Sequence, residues 1–487
     1  MQTTATPTAT AWLESHAEQT PLAAHGAAKN RIVRKVMRQH LRNNSAPSLL
    51  PDDCPFDSYL GLRFYHQDPL GRIRQLCEEH RKRTAQSTVK FTDPEFPIQH
   101  TSTILHPSNR ADFEAHPAKA RRADLYMHRA QQWKWMRGSD MLHCSLFASS
   151  SAAAACPSIC PTQVVQGGIG NCGVCSGLAS LAAGVPQLLH GAFGAGSNTA
   201  LAQYGCVTVR VYPQGHERYI VLDDYLLCKT ANDCCSPSMH SSRQTDLWIR
   251  LLEKALCKIQ GSYASLDGLY KYGSLYRHPA RALQLLTGAP VAFELRYGLP
   301  VDLDQVFSVL CRTQDKYVRV VHCRKPLEGL HASHGYSLLW IGAIPFGSTR
   351  LVCLRNPHGR GSYRGKFGFG DMEWDSAHGR RVKEHLLTLP YFGRCIETGR
   401  VIWHTTRATD GNKDDGIFFM EFSTFVTCFP IATVVGPLLG SSTRATASVP
   451  DCVFTVPKSK LGRVCELLAA AETQNDAGGT YLHPPGR

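Results

Sequence analysis

Acidic residues are scarce in this chain. Its 39 Asp and Glu residues stand against 53 Lys and Arg, the formal net charge is +14, and no acidic residue lies between Asp140 and Glu217. A basic surface of this kind is typical of nucleic-acid-binding proteins, but a solubilising charge or an acidic partner explains it as well. The sequence has no RNP, zinc-finger or helix-turn-helix pattern to accompany the charge. We therefore expect no nucleic-acid partner.

Long apolar runs are also few. No hydrophobic leader follows the opening MQTTATPTAT, so we expect no secretory signal. Residues 417–440 are apolar enough to suggest a membrane span, but Glu421 and Pro430 within them favour a buried strand, helix and strand. We predict no transmembrane span, and neither a myristoylated N-terminus nor a prenylated C-terminus.

Cysteine, by contrast, is plentiful. The chain has 19 cysteines, an odd number, in 487 residues. Without a secretory leader, such a set argues against a framework of disulfides and predicts a reducing, cytoplasmic compartment. The length, with 43% hydrophobic and 19% charged residues, is sufficient for two or three domains with proper cores.

The spacing of apolar residues changes along the chain. Residues 1–88 contain a basic stretch, NRIVRKVMRQHLRN, to which we assign no role. Residues 246–259 have apolar side chains at helical spacing and predict a helix that ends at Gly261. After LLTGAPV (285–291) short apolar strands predominate. This change predicts two lobes, helix-rich before the junction and strand-rich after it, that meet at a cleft.

One stretch, QGGIGNCGVCSGLASL (166–181), fits three kinds of site. Its glycines match a dinucleotide-binding turn, but such a site needs an acidic residue about 20 positions further on, and none occurs before Glu217. The C-x-x-C pair suits redox chemistry, and a zinc ribbon would have a similar spacing to that of Cys156, Cys160, Cys172 and Cys175. The third possibility is that Cys172 is a nucleophile that opens a helix.

The groups that a nucleophilic cysteine needs are present elsewhere in the chain. His334 stands ahead of an apolar strand in HASHGYSLLWI, and Asn356 ends the next strand in LVCLRNPHG. Adjacent antiparallel strands can bring such a base and its orienting amide to one rim. Gln166 lies six residues before Cys172 on a glycine-rich turn, so its amide can face an oxyanion together with the Cys172 backbone N–H.

These blocks resemble those of the calpain-type cysteine proteases, which have a papain-like fold. QGGIGNC is similar to the calpain Q-G-x-x-G-[DN]-C block, SHGYSL to its G-H-A-Y-S block, and LRNPHGRGSYRGKF to its R-N-P-W-G-x-x-E-W-x-G-x-W block. Other segments resemble the family as well, namely FTDPEFP (91–97), WKWMRGSDM (133–141), LWIRLLEKALCKIQGSYASLDG (247–268) and DDGIFFMEFSTF (414–425). The blocks follow the family's order over residues 90–440.

The resemblance implies an α+β fold with a papain-like two-lobe core, in which a helical lobe bears the cysteine and an antiparallel β lobe bears His and Asn. The parts would be an N-terminal basic extension, a first lobe, a second lobe and a C-terminal tail, at 1–88, 89–288, 289–440 and 441–487. The resemblance also implies Cys172 as nucleophile, His334 as general base and then acid, Asn356 as orienter of the imidazole, and Gln166 as oxyanion donor. The activity would be limited proteolysis of protein substrates, with a protein regulator as a further partner.

Two aromatic positions depart from the family pattern. Gly173 replaces the Trp that follows the nucleophile, and His358 replaces the Trp of N-P-W-G. The second indole would shield the hydrogen bond between His334 and Asn356 from water. These departures leave an alternative open, a calpain-like scaffold that binds partners and cleaves little. The complete Gln, Cys, His and Asn set favours the protease.

The calcium ligands of the family also differ here. Calpain cores hold calcium in each lobe with carboxylates and backbone oxygens. Asp415 remains, but the other family carboxylates are replaced by Gln163, Ser362, Phe369 and Ile417. We therefore predict no metal site, no cofactor and an activity that does not need calcium. We also expect no EF-hand module past residue 440.

Overall fold

The computed structural model describes most of the chain between residues 49 and 468 and one short segment before it. The described residues are 18–21, 49–59, 61–85, 88–98, 132–141, 144–147, 159–229, 237–242, 245–266, 279–289, 291–314, 316–389, 414–436, 438, 452–464, 466 and 468. The basic stretch at 30–43, the RVIWHTT segment (400–406), whose apolar pattern predicts a strand, and Cys156 lie outside them. Within the described ranges, no helix combines the length and the apolar composition that crossing a bilayer requires.

Sixteen strands and nine α-helices form within the described residues. The strands are β1 (Glu18–Pro21), β2 (Phe56–Tyr59), β3 (Leu62–Tyr65), β4 (Lys134–Arg137), β5 (Val164–Val165), β6 (Cys206–Val211), β7 (Arg218–Asp223), β8 (Tyr225–Cys228), β9 (His240–Ser241), β10 (Val291–Arg296), β11 (Val318–Cys323), β12 (His334–Ala343), β13 (Arg350–Arg355), β14 (Ile417–Glu421), β15 (Ile431–Gly436) and β16 (Cys452–Pro457). The helices are α1 (Leu70–Thr84), α2 (Cys172–Gly184), α3 (Pro186–His190), α4 (Ser197–Tyr204), α5 (Trp248–Gln260), α6 (Pro279–Thr287), α7 (Leu303–Arg312), α8 (Ala377–Thr388) and α9 (Phe422–Cys428).

An eight-stranded sheet holds most of the later strands. Its order is β1-β16-β10-β15-β11-β12-β13-β14, and each neighbouring pair is antiparallel except β10 with β16. Side chains alternate between the faces of a strand. Val320 accordingly packs in the cluster that contains α2, and Val321 packs in the cluster that contains α7 and α9. The middle of the sheet is therefore covered on both faces, which explains its nearly continuous apolar strands.

A smaller antiparallel sheet has the order β2-β3-β7-β6. Strands β2 and β3 and helix α1 come from the predicted extension at 1–88, and α1 buries Leu70, Ile73 and Cys77 in a cluster with Val221. This part of the extension therefore belongs to the packed core around the small sheet.

Helix α5 occupies residues 248–260 and ends at Gly261, as its apolar spacing predicted. Its apolar stripe is buried, but so are its polar side chains, because they find charged partners. Lys258 Nζ lies 2.8 Å from Asp93 Oδ2 and 3.1 Å from Glu95 Oε2, and Lys254 is paired with Asp223. The pairs of Lys258 fasten the FTDPEFP segment to the helix, and the pair of Lys254 joins the helix to β7.

The strand, helix and strand predicted within 417–440 are confirmed as β14, α9 and β15. The structure adds a strand from the region predicted as a tail, 441–487. There β16 pairs with β10 on one side and with β1 on the other. Val456, Leu461 and Val464 enter the core cluster of the sheet. Because these apolar side chains are buried, residues 452–464 complete the sheet rather than trail from it.

Helix α2 packs directly on β11 and β12 through side-chain hydroxyls. Ser176 Oγ donates to the Gly335 carbonyl at 3.0 Å, and Ser337 Oγ donates to the Ser176 carbonyl at 2.7 Å. One turn further on, Ser180 Oγ donates to the Arg319 carbonyl at 3.0 Å. These buried bonds fix the start of α2 beside the start of β12.

Candidate active site

Cys172 is the first residue of α2. The backbone N–H groups of a helix's first turn have no partners within the helix and carry the positive end of its dipole, which favours a thiolate there. The N–H of Gly335 donates to Cys172 Sγ at 3.3 Å. The thiol is half-buried and lies next to the backbone of His334. The helix and the sheet thus meet at the sulfur atom.

The turn before Cys172 is held against residues 237–238. The N–H groups of Gly168 and Ile169 both donate to the Pro237 carbonyl, at 2.7 and 3.3 Å. A Cβ at position 167 would lie 2.1 Å from that carbonyl oxygen, so only glycine fits there. The glycines of this stretch therefore serve a close backbone approach that shapes the turn.

Asn171 joins this turn to α5. Its side chain makes no helix cap, and its Nδ2 donates instead to Glu253 Oε1 at 2.6 Å. The other carboxyl oxygen of Glu253 accepts from the Met239 N–H at 2.9 Å. Burial raises the pKa of Glu253 to about 8. A buried carboxyl on α5 thus fixes the residue that precedes the cysteine.

His334 and Asn356 lie on adjacent strands, as their sequence positions predicted. His334 begins β12, Asn356 follows β13, and His334 Nε2 lies 3.1 Å from Asn356 Oδ1. The same Oδ1 accepts from the backbone N–H of His358 at 3.1 Å, so the His334 contact is made by Nε2–H. Asn356 is fully buried, and its Nδ2 donates to the Gly361 carbonyl at 3.0 Å. In this tautomer Nδ1 of His334 is the basic nitrogen.

Two further histidines surround the imidazole of His334. The ring of His358 stacks on it with centroids 4.4 Å apart and planes 21° from parallel, and His331 meets it edge-on at 5.9 Å. Burial and then the neighbouring His358 lower the pKa of His334 to about 3, against the opposing effect of Asn356. Burial also lowers the pKa of His358. His358 therefore covers the position where the family has an indole.

Gln166 is tied to the same region through its backbone and its side chain. Its N–H donates to the Pro357 carbonyl at 2.8 Å, next to Asn356. Its Nε2 donates to the Ile169 carbonyl at 2.8 Å, which uses one of the two amide hydrogens. The structure thus brings Gln166, Cys172, His334 and Asn356 together around the start of α2.

Gly173 lies in a tight space between two segments. A Cβ there would be 3.3 Å from two atoms of the Pro279 ring, and a Cβ at Gly335 would lie 3.2 Å from the Gly173 Cα. A larger residue at position 173 would therefore have to displace the Pro279 ring.

The competing metal and redox hypotheses concern the cysteines. Among the described residues, no group of three or more His, Cys, Asp or Glu side chains is arranged to hold a metal ion. Cys175 is fully buried in the apolar core, and burial raises its pKa. A thiol that is hard to ionise and closed to solvent suits a structural role.

Two residues of the site were missed in the sequence. Glu253 lies within the predicted helix, and Asp414 is the first residue of the DDGIFFMEFSTF block, of whose residues we compared only Asp415 and Ile417 with the family's calcium ligands. The bond of Glu253 to Asn171 spans 82 residues, and that of Asp414 to Gly361 spans 53. The only available signal was a charged residue in an otherwise buried block.

The chain matches known proteins over much of its length. Residues 91–389 match the profile described as "Calpain family cysteine protease". Calpain-8 of Homo sapiens is 24% identical over 379 residues, which are 75% of this chain and 45% of Calpain-8. The Calpain-1 catalytic subunit of Mus musculus is 25% identical over 329 residues, which are 66% of this chain and 41% of that protein. A calpain of Schistosoma mansoni is 29% identical over 277 residues, which are 55% of this chain and 32% of that protein.

The chain spans less than half the length of each of these relatives. The family profile nevertheless covers more than half of this chain. Its blocks also meet in space, since the cysteine, histidine and asparagine blocks surround one helix start. The chain therefore belongs to the calpain family of cysteine proteases.

Proposed function

We propose that the chain is a cysteine endopeptidase that cleaves protein substrates at a few sites. The observation that carries this proposal is the His334–Asn356 hydrogen bond of 3.1 Å beside a thiol that opens a helix and accepts from the Gly335 N–H. A nucleophile, a base and a group that orients the base are the minimum for this chemistry.

The mechanism is acyl transfer. The proton of the Cys172 thiol passes to Nδ1 of His334, and the thiolate attacks the carbonyl carbon of the scissile peptide bond. The Cys172 backbone N–H and the Gln166 amide donate to the oxyanion. His334 then gives its proton to the leaving amine, and a thioester remains. Water, deprotonated by the same imidazole, hydrolyses the thioester and restores the thiol.

The calcium sites that the family implies do not fit the residues of this chain. The Gln163 side-chain oxygen accepts from the Cys160 N–H at 3.2 Å, and an amide is a weaker ligand than the family's carboxylate. Ser362 donates its hydroxyl to Asp414 at 2.7 Å, so this oxygen pair is already engaged. The acyl-transfer steps use no calcium ion, and we propose an activity that does not require it.

The surroundings of the site complete the proposal. The helices around α2 and the eight-stranded sheet would be the two lobes of a papain-like core, with an extended substrate lying between them. A reducing, cytoplasmic setting would keep the half-buried Cys172 thiol from oxidation, and a protein regulator would be a further partner.

The second candidate is a scaffold that binds partners and cleaves little. The observation that favours it is the buried His334, whose pKa of about 3 opposes an imidazolium.

Reaction with an epoxysuccinyl inhibitor, followed by intact mass, tests the proposal. We expect one adduct on Cys172 in wild type, none in Cys172→Ala and very slow labelling in His334→Ala. Cys54→Ala, which removes another half-buried thiol, is the matched control and should react like wild type. Gln166→Ala should keep the adduct but lower kcat on a peptide by about 10²- to 10³-fold, because it removes an oxyanion donor only.

A folded wild-type chain that forms no adduct would favour the scaffold. Folding is checked in each variant by thermal unfolding, so a loss of reactivity is not mistaken for a loss of structure.

A further inference from the structure

Asp414 lies just before β14 and binds the loop that follows Asn356. Its carboxylate accepts four hydrogen bonds from this loop and a fifth from Gly416, and its side chain is 18% exposed. The donors are the Gly361 N–H (3.1 Å), the Ser362 N–H (3.3 Å), Ser362 Oγ (2.7 Å), Arg364 Nη2 (3.3 Å) and the Gly416 N–H (3.0 Å). Hydrogen bonds to an ionised carboxylate are about twice as strong as neutral ones, so this set holds the loop firmly.

The loop held by Asp414 contacts the asparagine of the candidate triad. The Gly361 carbonyl accepts from Asn356 Nδ2 at 3.0 Å, and Asn356 Oδ1 in turn contacts His334 Nε2 at 3.1 Å. Gly361 has φ +73°, a conformation that L side chains rarely adopt. Glycine adopts this conformation without strain, so the backbone of Gly361 does not by itself fix its carbonyl, and Asp414 helps to fix it through the Gly361 N–H.

Asp414 also holds the other side of Asn356. The Gly416 N–H donates to Asp414, and the Gly416 carbonyl accepts from the backbone N–H of Asn356 at 2.9 Å. One carboxylate therefore fixes both the acceptor of the Asn356 side chain and the acceptor of its backbone. Gly361 and Gly416 both touch Asn356 directly, so the path from Asp414 to the imidazole is continuous.

We propose that Asp414 is a positioning residue for the His334–Asn356 pair, and that it acts through its bonds to Gly361 and Gly416. The inference rests on the proposed peptidase function for its catalytic consequence. Asp414 touches no reacting atom and acts by holding Asn356 where its Oδ1 accepts from His334.

Asp414→Asn tests this role with little change in volume. An amide can accept on one side only, so some of the five donors would face an NH₂ group. We expect the rate of Cys172 labelling and the kcat on a peptide to fall about tenfold, with KM nearly unchanged, because a misplaced catalytic group costs rate rather than binding. Asp371→Asn is the matched control, since the Asp371 carboxylate accepts from the Phe367 N–H at 2.7 Å, within its own turn.

A double-mutant cycle shows whether Asp414 acts through Asn356. In an Asn356→Ala background, Asp414→Asn should change the labelling rate less than about twofold, because the group it positions is gone. An undiminished tenfold loss in that background would overturn the proposal. So would a rate for Asp414→Asn equal to that of Asp371→Asn.

A second measurement does not depend on activity. In ¹⁵N-histidine-labelled protein, the Nε2–H of His334 should exchange with solvent faster in Asp414→Asn than in wild type or Asp371→Asn. No change in this exchange would overturn the positioning role. If the exchange responds but the folded wild type forms no adduct, the positioning role stands and the proposed peptidase function fails.

Discussion

His358 is the single residue that most distinguishes this site from the family pattern. The sequence showed that a histidine replaces the family Trp there, but it did not show where the histidine ring lies. The structure shows a second imidazole stacked 4.4 Å from His334 and anchored by its backbone N–H on Asn356 Oδ1. A stacked histidine shields the base as an aromatic ring does, but it can also take up a proton. A positive charge on His358 therefore disfavours protonation of the His334 ring.

Replacing His358 with Phe should keep the stack and remove the titratable ring. Burial and His358 both lower the pKa of His334, so this pKa should rise in His358→Phe. The imidazolium–thiolate pair is lost as the pH rises through the pKa of His334, which is about 3 in wild type. The high-pH limb of the rate of Cys172 labelling should therefore move to higher pH. The measurement is the labelling rate by intact mass from about pH 3, near the lowered pKa of His334, to about pH 9.

His331→Phe is the control for the His358 prediction, because His331 meets His334 edge-on at 5.9 Å and should shift the limb less. The other charged groups that act on these rings, His322 and Arg360, stay in place in both variants. An unchanged limb in His358→Phe, or one moved to lower pH, would contradict the prediction.

Residue identities at the site were predictable where one short block holds them. Cys172, Gln166, His334 and Asn356 each stand in a local pattern of turn residues or at the edge of an apolar strand. Their mutual contacts follow from the pairing of β12 with β13 and from α2 on the sheet. Glu253 and Asp414 were not predictable, since their partners are 82 and 53 residues away and no periodicity encodes such contacts.

At the scale of elements, α5 holds the residue that precedes α2. Glu253 on α5 bonds to Asn171, the residue before α2, and Lys254 and Lys258 bind the segments on the other side. The sequence predicted the helix from its apolar spacing, but it could not show that the polar side chains are buried as well. The predominance of strands after LLTGAPV was similarly predictable, whereas the parallel pairing of β16 with β10 was not, since strand partners are chosen by long-range packing.

The carboxyl of Glu253 should make stability depend on pH. Its pKa is raised from 4.5 to about 8 in the folded chain, so the folded state keeps a proton that the unfolded state releases. The stability that this proton contributes is complete below about pH 4.5 and is lost as the pH rises to about 8. Glu253→Gln lacks this titrating group. Its free energy of unfolding should therefore rise relative to that of wild type, by about a few kcal/mol in total, as the pH increases from about 4.5 to about 8. Thermal unfolding of both proteins between pH 5 and 9 measures the difference, and a difference that does not vary with pH would refute it.

At the scale of the whole molecule, direct bonds join α2 and its neighbours to the eight-stranded sheet. Ser176, Ser180 and Ser337 link the helix to β11 and β12. The buried Arg355 of β13 donates to the carbonyls of Val164 and Thr162 at 2.7 and 3.2 Å, just before the turn that carries Gln166. The two sides of the site are therefore aligned by the chain's own groups.

Calcium should consequently have no effect on either stability or reactivity. A cation present at a hundred times its dissociation constant would add about 2.7 kcal/mol to the free energy of unfolding. We expect the unfolding temperature and the rate of Cys172 labelling to be the same in EGTA and in millimolar calcium. A calcium-dependent rate that Asp415→Asn abolishes would show that a family site persists.

The edge of the large sheet sets an order of events during synthesis. Strand β1 pairs with β16, and β16 lies between β1 and β10, so an early segment of the chain has a late one as its neighbour. A ribosome makes the protein from the N-terminus, and compact units form as they emerge. Residues 18–21 must therefore wait for residues 452–455, while the strands around His334 and Asn356 can already pair. The candidate site can thus assemble on the nascent chain before its sheet is closed at the far edge.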